Sequence, residues 1–135
     1  MDHARLTDFA TRYAAAWSSQ DPEGLASFYT VDGRLTVNDG SPSIGRTAIA
    51  AAAREFMHAF PDMVVAMRSV EVDGEEAVFH WRWTGTNTGP GGTGRSVDMR
   101  GYEKWTLDAE GLIAESRGHF DEDEYARQVG GDSGD

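Results

Sequence analysis

The chain has 135 residues, 39% of them hydrophobic, no cysteine and a formal net charge of −11. That length supports one core rather than two comfortable domains, so residues 1–129 read as a single domain. The charge excludes a nucleic-acid surface, which needs clustered Lys and Arg to displace counterions, and only one of the twelve basic residues is a lysine.

The absence of cysteine excludes thiolate catalysis, disulfides and cysteine metal sites. No apolar run is long enough to span a bilayer, and Met1-Asp2-His3-Ala4-Arg5 lacks the basic-then-apolar order of a secretion signal. A soluble, cytoplasmic protein is expected.

From Asp2 to Ser19, Leu6, Phe9, Ala10, Tyr13, Ala16 and Trp17 recur every three or four residues, the stripe of an amphipathic helix. Asp21-Pro22 reads as an N-cap followed by proline at the first helical position, opening a short second helix that turns Leu25, Phe28 and Tyr29 inward. Asp32-Gly33 is a turn, Arg34–Val37 a short strand, and Asn38–Pro42 a loop. Gly45–Phe60 forms a third helix that buries Ile49, Ala52, Ala53, Phe56, Met57 and Phe60 and stops at Pro61.

Helical period then gives way to strands at Met63–Val72, Ala77–Asn87, Val97–Leu107 and Leu112–Asp121, with turns at Asp73-Gly74, Gly89–Gly94 and Asp108–Gly111. Residues 130–135, Gly-Gly-Asp-Ser-Gly-Asp, bury too little to order themselves and read as a frayed tail. Helices followed by antiparallel strands make an α+β domain.

Strand alternation assigns faces. Phe79, Trp81 and Trp83 share one with Asn87, while Val97, Met99, Trp105 and Leu107 share one with Gly101 and Glu103. On the last strand, Leu112, Ala114, Gly118 and Phe120 oppose Ile113, Glu115, Arg117, His119 and Asp121. That ionisable face is an ordinary exterior if it meets solvent and a site if it lines a cavity. Bulky aromatics with a glycine at a bend imply a curved sheet wrapped around the helices, leaving a pocket at its mouth.

Several segments, in this order, resemble the SnoaL-like branch of the nuclear transport factor 2 family: Trp17–Asp21 through Tyr29, Gly45–Ile49, Phe60-Pro61-Asp62, Trp83–Pro90 and Glu115–Asp121. The resemblance implies a cone-shaped α+β barrel, a strongly curved and mainly antiparallel sheet around about three helices. It also implies an apolar pocket and a homodimer packed through the outer sheet face. Similar proteins include polyketide cyclases that close a ring by intramolecular aldol condensation without metal or cofactor. Such chemistry needs a carboxylate beside a carbonyl in a dry pocket and a donor for the developing enolate.

By resemblance Asp121 is the acid/base, and His119 and Asn87 are polarising groups. Arg117, Trp81, Trp83, Trp105, Phe56 and Asp62 are binding residues for a small hydrophobic carbonyl compound. Two departures stand out. Asn87 replaces the histidine of the Gly-Thr-His-Thr-Gly turn and donates hydrogen bonds without transferring protons. Arg117 stands where the family often has tryptophan, and its cation lowers the pKa of a neighbouring carboxylate.

Each residue also has a plainer reading. Asp121, with Glu124 three positions on, is equally a helix cap for the short segment Tyr125–Val129. His119 is equally an exposed ring, the tryptophans are most simply core, and Asp62 is most simply a turn residue. His119 and Asp121 could ligate a metal, but no motif supplies a third ligand. The Gly89–Gly94 run has dinucleotide-loop spacing yet precedes a strand, so it reads as a hairpin loop. Two functions stay open: a cofactor-independent cyclase, isomerase or lyase acting by proton transfer, and a non-catalytic binding or scaffold protein using the same pocket.

Overall fold

The computed structural model describes residues 3–130. In chain order the elements are α1 (His3–Ser18), α2 (Pro22–Ala26), β1 (Tyr29–Val37), β2 (Ser43–Ile44), α3 (Arg46–Ala59), β3 (Val64–Asp73), β4 (Glu76–Thr86), β5 (Ser96–Leu107), β6 (Ile113–His119) and α4 (Glu122–Gly130). Six strands form one sheet in the order β2-β1-β6-β5-β4-β3. All neighbours are antiparallel except β1 and β6, which run parallel. This is the expected α+β architecture, a mainly antiparallel sheet with its helices on one face and left open at β2 and β3. Among the described residues, no helix is long and apolar enough to cross a membrane.

The amphipathic stripes face the core as read, although Ala16, Ala52 and Phe56 are only half-buried and Ala14 and Ala50 are buried in addition. On α1, Leu6, Phe9, Ala10, Tyr13, Ala14 and Trp17 are buried, and on α3, Ile49, Ala50, Ala53 and Met57. They meet the inward faces of β4 (Ala77, Phe79, Trp81, Trp83) and β5 (Val97, Met99, Trp105) in one core.

The structure departs from the sequence pattern at the start of the sheet and along β6. The second helix ends at Ala26, so Phe28 lies past its end and Tyr29 opens β1. The β-branched and aromatic run Tyr29-Thr30-Val31 favours a strand, and Tyr29 pairs with Ile113 of β6. Asp32-Gly33 is no turn but lies within β1, where the register to β6 shifts between Tyr29 and Arg34. The two-residue strand β2 had no sequence signal. A fourth helix, α4, extends the expected short segment from Glu122 through Gly130, while residues 131–135 lie outside the described residues, as does the start of the first helix at Asp2.

On β6, Thr106 pairs with Glu115 but Leu107 pairs with Ile113, leaving Ala114 as the extra residue of a bulge. The bulge shifts the phase of alternation. Ile113 and Ser116 are both fully buried, Gly118 and Phe120 follow Ser116 inward, and Glu115, Arg117 and His119 face outward. The ionisable face of β6 is therefore sheet exterior. That exterior carries charge: Arg82 pairs with Asp98 at 2.7 Å, His80 with Glu71 at 2.8 Å, and Lys104 and Arg117 both approach Glu76, at 3.4 and 3.5 Å.

A buried carboxylate at the floor of an aromatic cavity as the candidate active site

Alternation along β5 turns residue 103 toward the helices, where an aliphatic side chain is the ordinary occupant. The chain places a glutamate there, 7% exposed. An unpaired buried charge is costly, so its polar atoms need partners. Three donors converge on Oε1: the Tyr13 hydroxyl from α1 at 2.8 Å, the Trp105 indole N–H from β5 at 2.9 Å and the Ser116 hydroxyl from β6 at 2.7 Å. Tyr13 spends its only proton on Glu103, so the hydroxyl of Tyr29, 2.8 Å away, donates to Tyr13.

Oε2 accepts no hydrogen bond from any described residue. Burial raises the pKa of Glu103, and the bonds from Ser116, Trp105 and Tyr13 offset part of that rise. Burial also pushes both tyrosines well above the usual phenol value, with the Glu103 charge adding to it, so they remain donors.

Glu103 lines a cavity of about 70 Å³ with Trp17, Phe56, Trp81, Trp83 and Phe120 among its walls, and Leu35, Val37, Met63, Val65 and Gly118 complete the apolar lining. Its ring pairs cross steeply: Trp17–Phe56 at 78°, Phe56–Trp83 at 90°, Trp83–Phe120 at 70° and Trp81–Phe120 at 65°. Two glycines make the space. A Cβ on Gly101 would come within 2.5 Å of Trp81 Cζ2, so only glycine lets that indole lie over β5. A Cβ on Gly118 would instead rest 3.5 Å from Glu103 Cγ, an ordinary contact reaching into the cavity. Gly118→Ala is therefore expected to change stability by less than about 1 kcal/mol while weakening ligand binding several-fold, measured by thermal unfolding and by titration of the same protein.

The residues read from sequence divide sharply. Phe56, Trp81 and Trp83 line the cavity; Trp105 lies beneath it, fully buried, holding Glu103. Asp121 does not face the cavity floor. It is exposed and caps α4, its Oδ1 accepting the backbone N–H of Asp123 at 3.0 Å and of Glu124 at 3.1 Å. His119 borders the cavity through the chain, but it pairs in register with Tyr102 and its exposed ring lies 5.5 Å from the Tyr102 ring on the outer face.

Asn87 is buried but structural: Oδ1 accepts from Thr93 N at 2.7 Å and Nδ2 donates to Ala59 O at 3.3 Å, tying the β4–β5 loop to the end of α3. Arg117 is exposed and reaches Glu76, not Glu115 or Asp121. Asp62 clamps the end of β4, accepting from Thr86 N at 2.7 Å and Thr86 Oγ1 at 2.8 Å, and those bonds lower its pKa. Among the described residues, no three His, Asp or Glu side chains converge on a metal-sized site. Asp121→Ala is expected to cost about 1 kcal/mol of stability through the lost cap, read by urea unfolding, and Asp121→Asn a few tenths at most.

The sequence matches the family profile described as a SnoaL-like domain over residues 10–116. The chain belongs to the SnoaL-like family. No curated protein matches its sequence. Among solved structures, TsrD from Streptomyces laurentii superposes with a TM-score of 0.82 at 23% identity, covering 96% of this chain and 98% of its own. A protein with a ketosteroid isomerase-like fold from Catenulispora acidiphila, solved with trimethylamine, gives 0.79 at 17% identity, covering 90% and 92%. A proposed SnoaL-like polyketide cyclase from Jannaschia sp. CCS1 gives 0.76 at 20%, covering 93% and 94%. At these identities the likeness establishes the fold.

The profile match takes in Tyr13, Tyr29, Glu103, Trp105 and Ser116 and stops short of His119 and Asp121. For this SnoaL-like domain, Glu103 is the site residue that motif reading passes over. Its signal was present: a lone carboxylate on an otherwise apolar, aromatic strand face.

Proposed function

We propose that this SnoaL-like domain is a cofactor-independent enzyme that moves a proton next to the carbonyl of a small hydrophobic compound, with Glu103 in place of Asp121 as the acid/base. The observation that carries this reading is the asymmetry of the Glu103 carboxylate. Oε1 is fixed by three donors, while Oε2 has no partner among the described residues in an apolar cavity. A base so held is oriented before substrate arrives, and desolvation raises its basicity toward working pH.

In the first step Oε2 takes a proton from the carbon beside the carbonyl, and the electron pair moves into the carbonyl as an enolate. Glu103, now neutral, returns the proton to carbon in an isomerisation, or to oxygen once the enolate carbon has attacked a second carbonyl in an aldol closure. Trp83 lines the cavity and its buried indole N–H has no acceptor among the described residues, so we assign it as the donor to the enolate oxygen. The cavity's volume of about 70 Å³ is roughly half that of a site able to hold benzene, about 150 Å³, so it takes a compact ketone or the reacting end of a larger one.

The test is deuterium exchange at the α-carbon of a panel of small ketones in D2O, followed by NMR. Exchange that requires Glu103 and survives Asp121→Asn supports the reading. Saturable ketone binding with no exchange favours the non-catalytic alternative, a carrier of small apolar ligands.

The homodimer implied by family resemblance fits the outer sheet face, centred on Tyr102, 39% exposed between His80 and His119. If that face is the interface, Tyr102→Glu shifts a sedimenting dimer to monomer without moving the tryptophan fluorescence of the cavity.

A further inference from the structure

Three of the cavity's walls are indoles, two are phenyl rings, and among the described residues the only ionisable side chain turned into it is a carboxylate. His119 borders it with its ring on the outer face, and no lysine or arginine among the described residues lines it. A purely apolar ligand has no use for that charge, and an anionic ligand is repelled by it. The combination matches a compact cation: ring faces attract it through their quadrupoles, and the Glu103 carboxylate, short of a partner at Oε2, supplies the counter-charge.

The wall is continuous. Successive ring centroids lie 6.1, 5.8, 6.1 and 6.2 Å apart from Trp17 through Phe56, Trp83 and Phe120 to Trp81, so a group inside is bordered by aromatic rings on several sides. Tyr125 stacks behind Trp83 at 25° and fixes its plane.

We infer that the ligand of this cavity carries a small alkylammonium group, held by the aromatic walls and paired with Glu103. The inference rests on the choice of the cavity as ligand site made in the reading above and adds the ligand's charge class.

All four tryptophans of the chain lie at this site, three as walls and Trp105 beneath Glu103, so the indole N–H signals report on it directly. The experiment is a titration of ¹⁵N-labelled protein at neutral pH with trimethylammonium chloride and, separately, with tert-butanol, a neutral molecule of the same shape. Trimethylammonium is expected to shift the signals of Trp17, Trp81 and Trp83 and to bind about tenfold more tightly than tert-butanol. Glu103→Gln should bring the two ligands within about twofold of each other. Phe120→Leu, at a partly buried wall whose ring pairs with Trp81, Trp83 and Tyr125, should weaken the cation more than tert-butanol and covers the case in which the Glu103 variant fails to fold.

Equal affinity for the two ligands, or a cation preference that survives both substitutions, overturns the inference. The ketone exchange assay keeps the two claims apart. Glu103-dependent exchange without cation preference leaves proton transfer standing and removes the ammonium. Cation preference without exchange does the reverse.

Discussion

Glu103→Gln should lower α-proton exchange of a bound ketone by about 10²-fold or more, the usual worth of a positioned general base. The substitution conserves shape, and the amide oxygen can still accept from Tyr13, Trp105 and Ser116 at the position of Oε1. What it removes is the lone pair that takes the proton. Ketone affinity should therefore stay within a few-fold while exchange collapses, a loss confined to the chemical step.

Stability should move the other way. The raised pKa of Glu103 means that the folded state holds this proton more tightly than the unfolded chain. The carboxyl's contribution is thus most favourable below the ordinary glutamate range and declines as pH rises through that range to the raised folded value. Glutamine carries no such dependence. The stability of the variant relative to the parent protein should increase with pH across that window, and denaturant midpoints at a series of pH values check it. A variant that loses exchange and stability together at every pH would make Glu103 a structural group only.

Tyr13→Phe carries the second large effect. The hydroxyl is buried, donates to Glu103 and accepts from Tyr29, so its loss removes one of three donors to a buried carboxylate and leaves the Tyr29 hydroxyl with Ser116 alone. A cost of about 1–3 kcal/mol is expected, measured by urea unfolding. A second readout separates positioning from packing. The Tyr13 bond lowers the Glu103 pKa against the larger effect of burial, so removing it should raise that pKa and move the acidic limb of activity, where the base loses its proton, to higher pH. Ser116→Ala should move it in the same direction, because Ser116 also stabilises the charged form. A Tyr13→Phe protein that is less stable but keeps the parent's pH profile would leave Tyr13 as packing alone.

Most of the architecture was legible because its signals are local. The apolar stripes on α1 and α3 and the alternation of β4 and β5 each state which way a side chain points, and the structure follows them. The errors sit where a tertiary contact decides. Tyr29 leaves the second helix because β6 offers it a parallel partner at Ile113, which no local pattern announces. The Ala114 bulge reverses the phase of β6 within a single strand, so Ile113 comes inside although it reads with Glu115 and Arg117.

The candidate site shows the same division. Phe56, Trp81 and Trp83 were legible as wall because aromatic residues on an inward face border whatever space the core leaves. Asp121 followed a family position, while its local sequence, a carboxylate ahead of Glu122-Asp123-Glu124, equally described the cap that the structure contains. Glu103 was on the right face and read as a neighbour of Trp105. What sets it apart is the convergence of Tyr13, Tyr29 and Ser116 from three other elements, and that convergence exists only after folding.

The most direct test of the central claim is a crystal structure of the protein with a small ketone bound, read for the distance from the ligand's α-carbon to the nearest carboxylate. The account predicts the ketone inside the aromatic walls, its α-carbon against Glu103 Oε2, with Asp121 still bonded to the first turn of α4. A ketone seated against Asp121, with the cavity closed over Glu103, would contradict it.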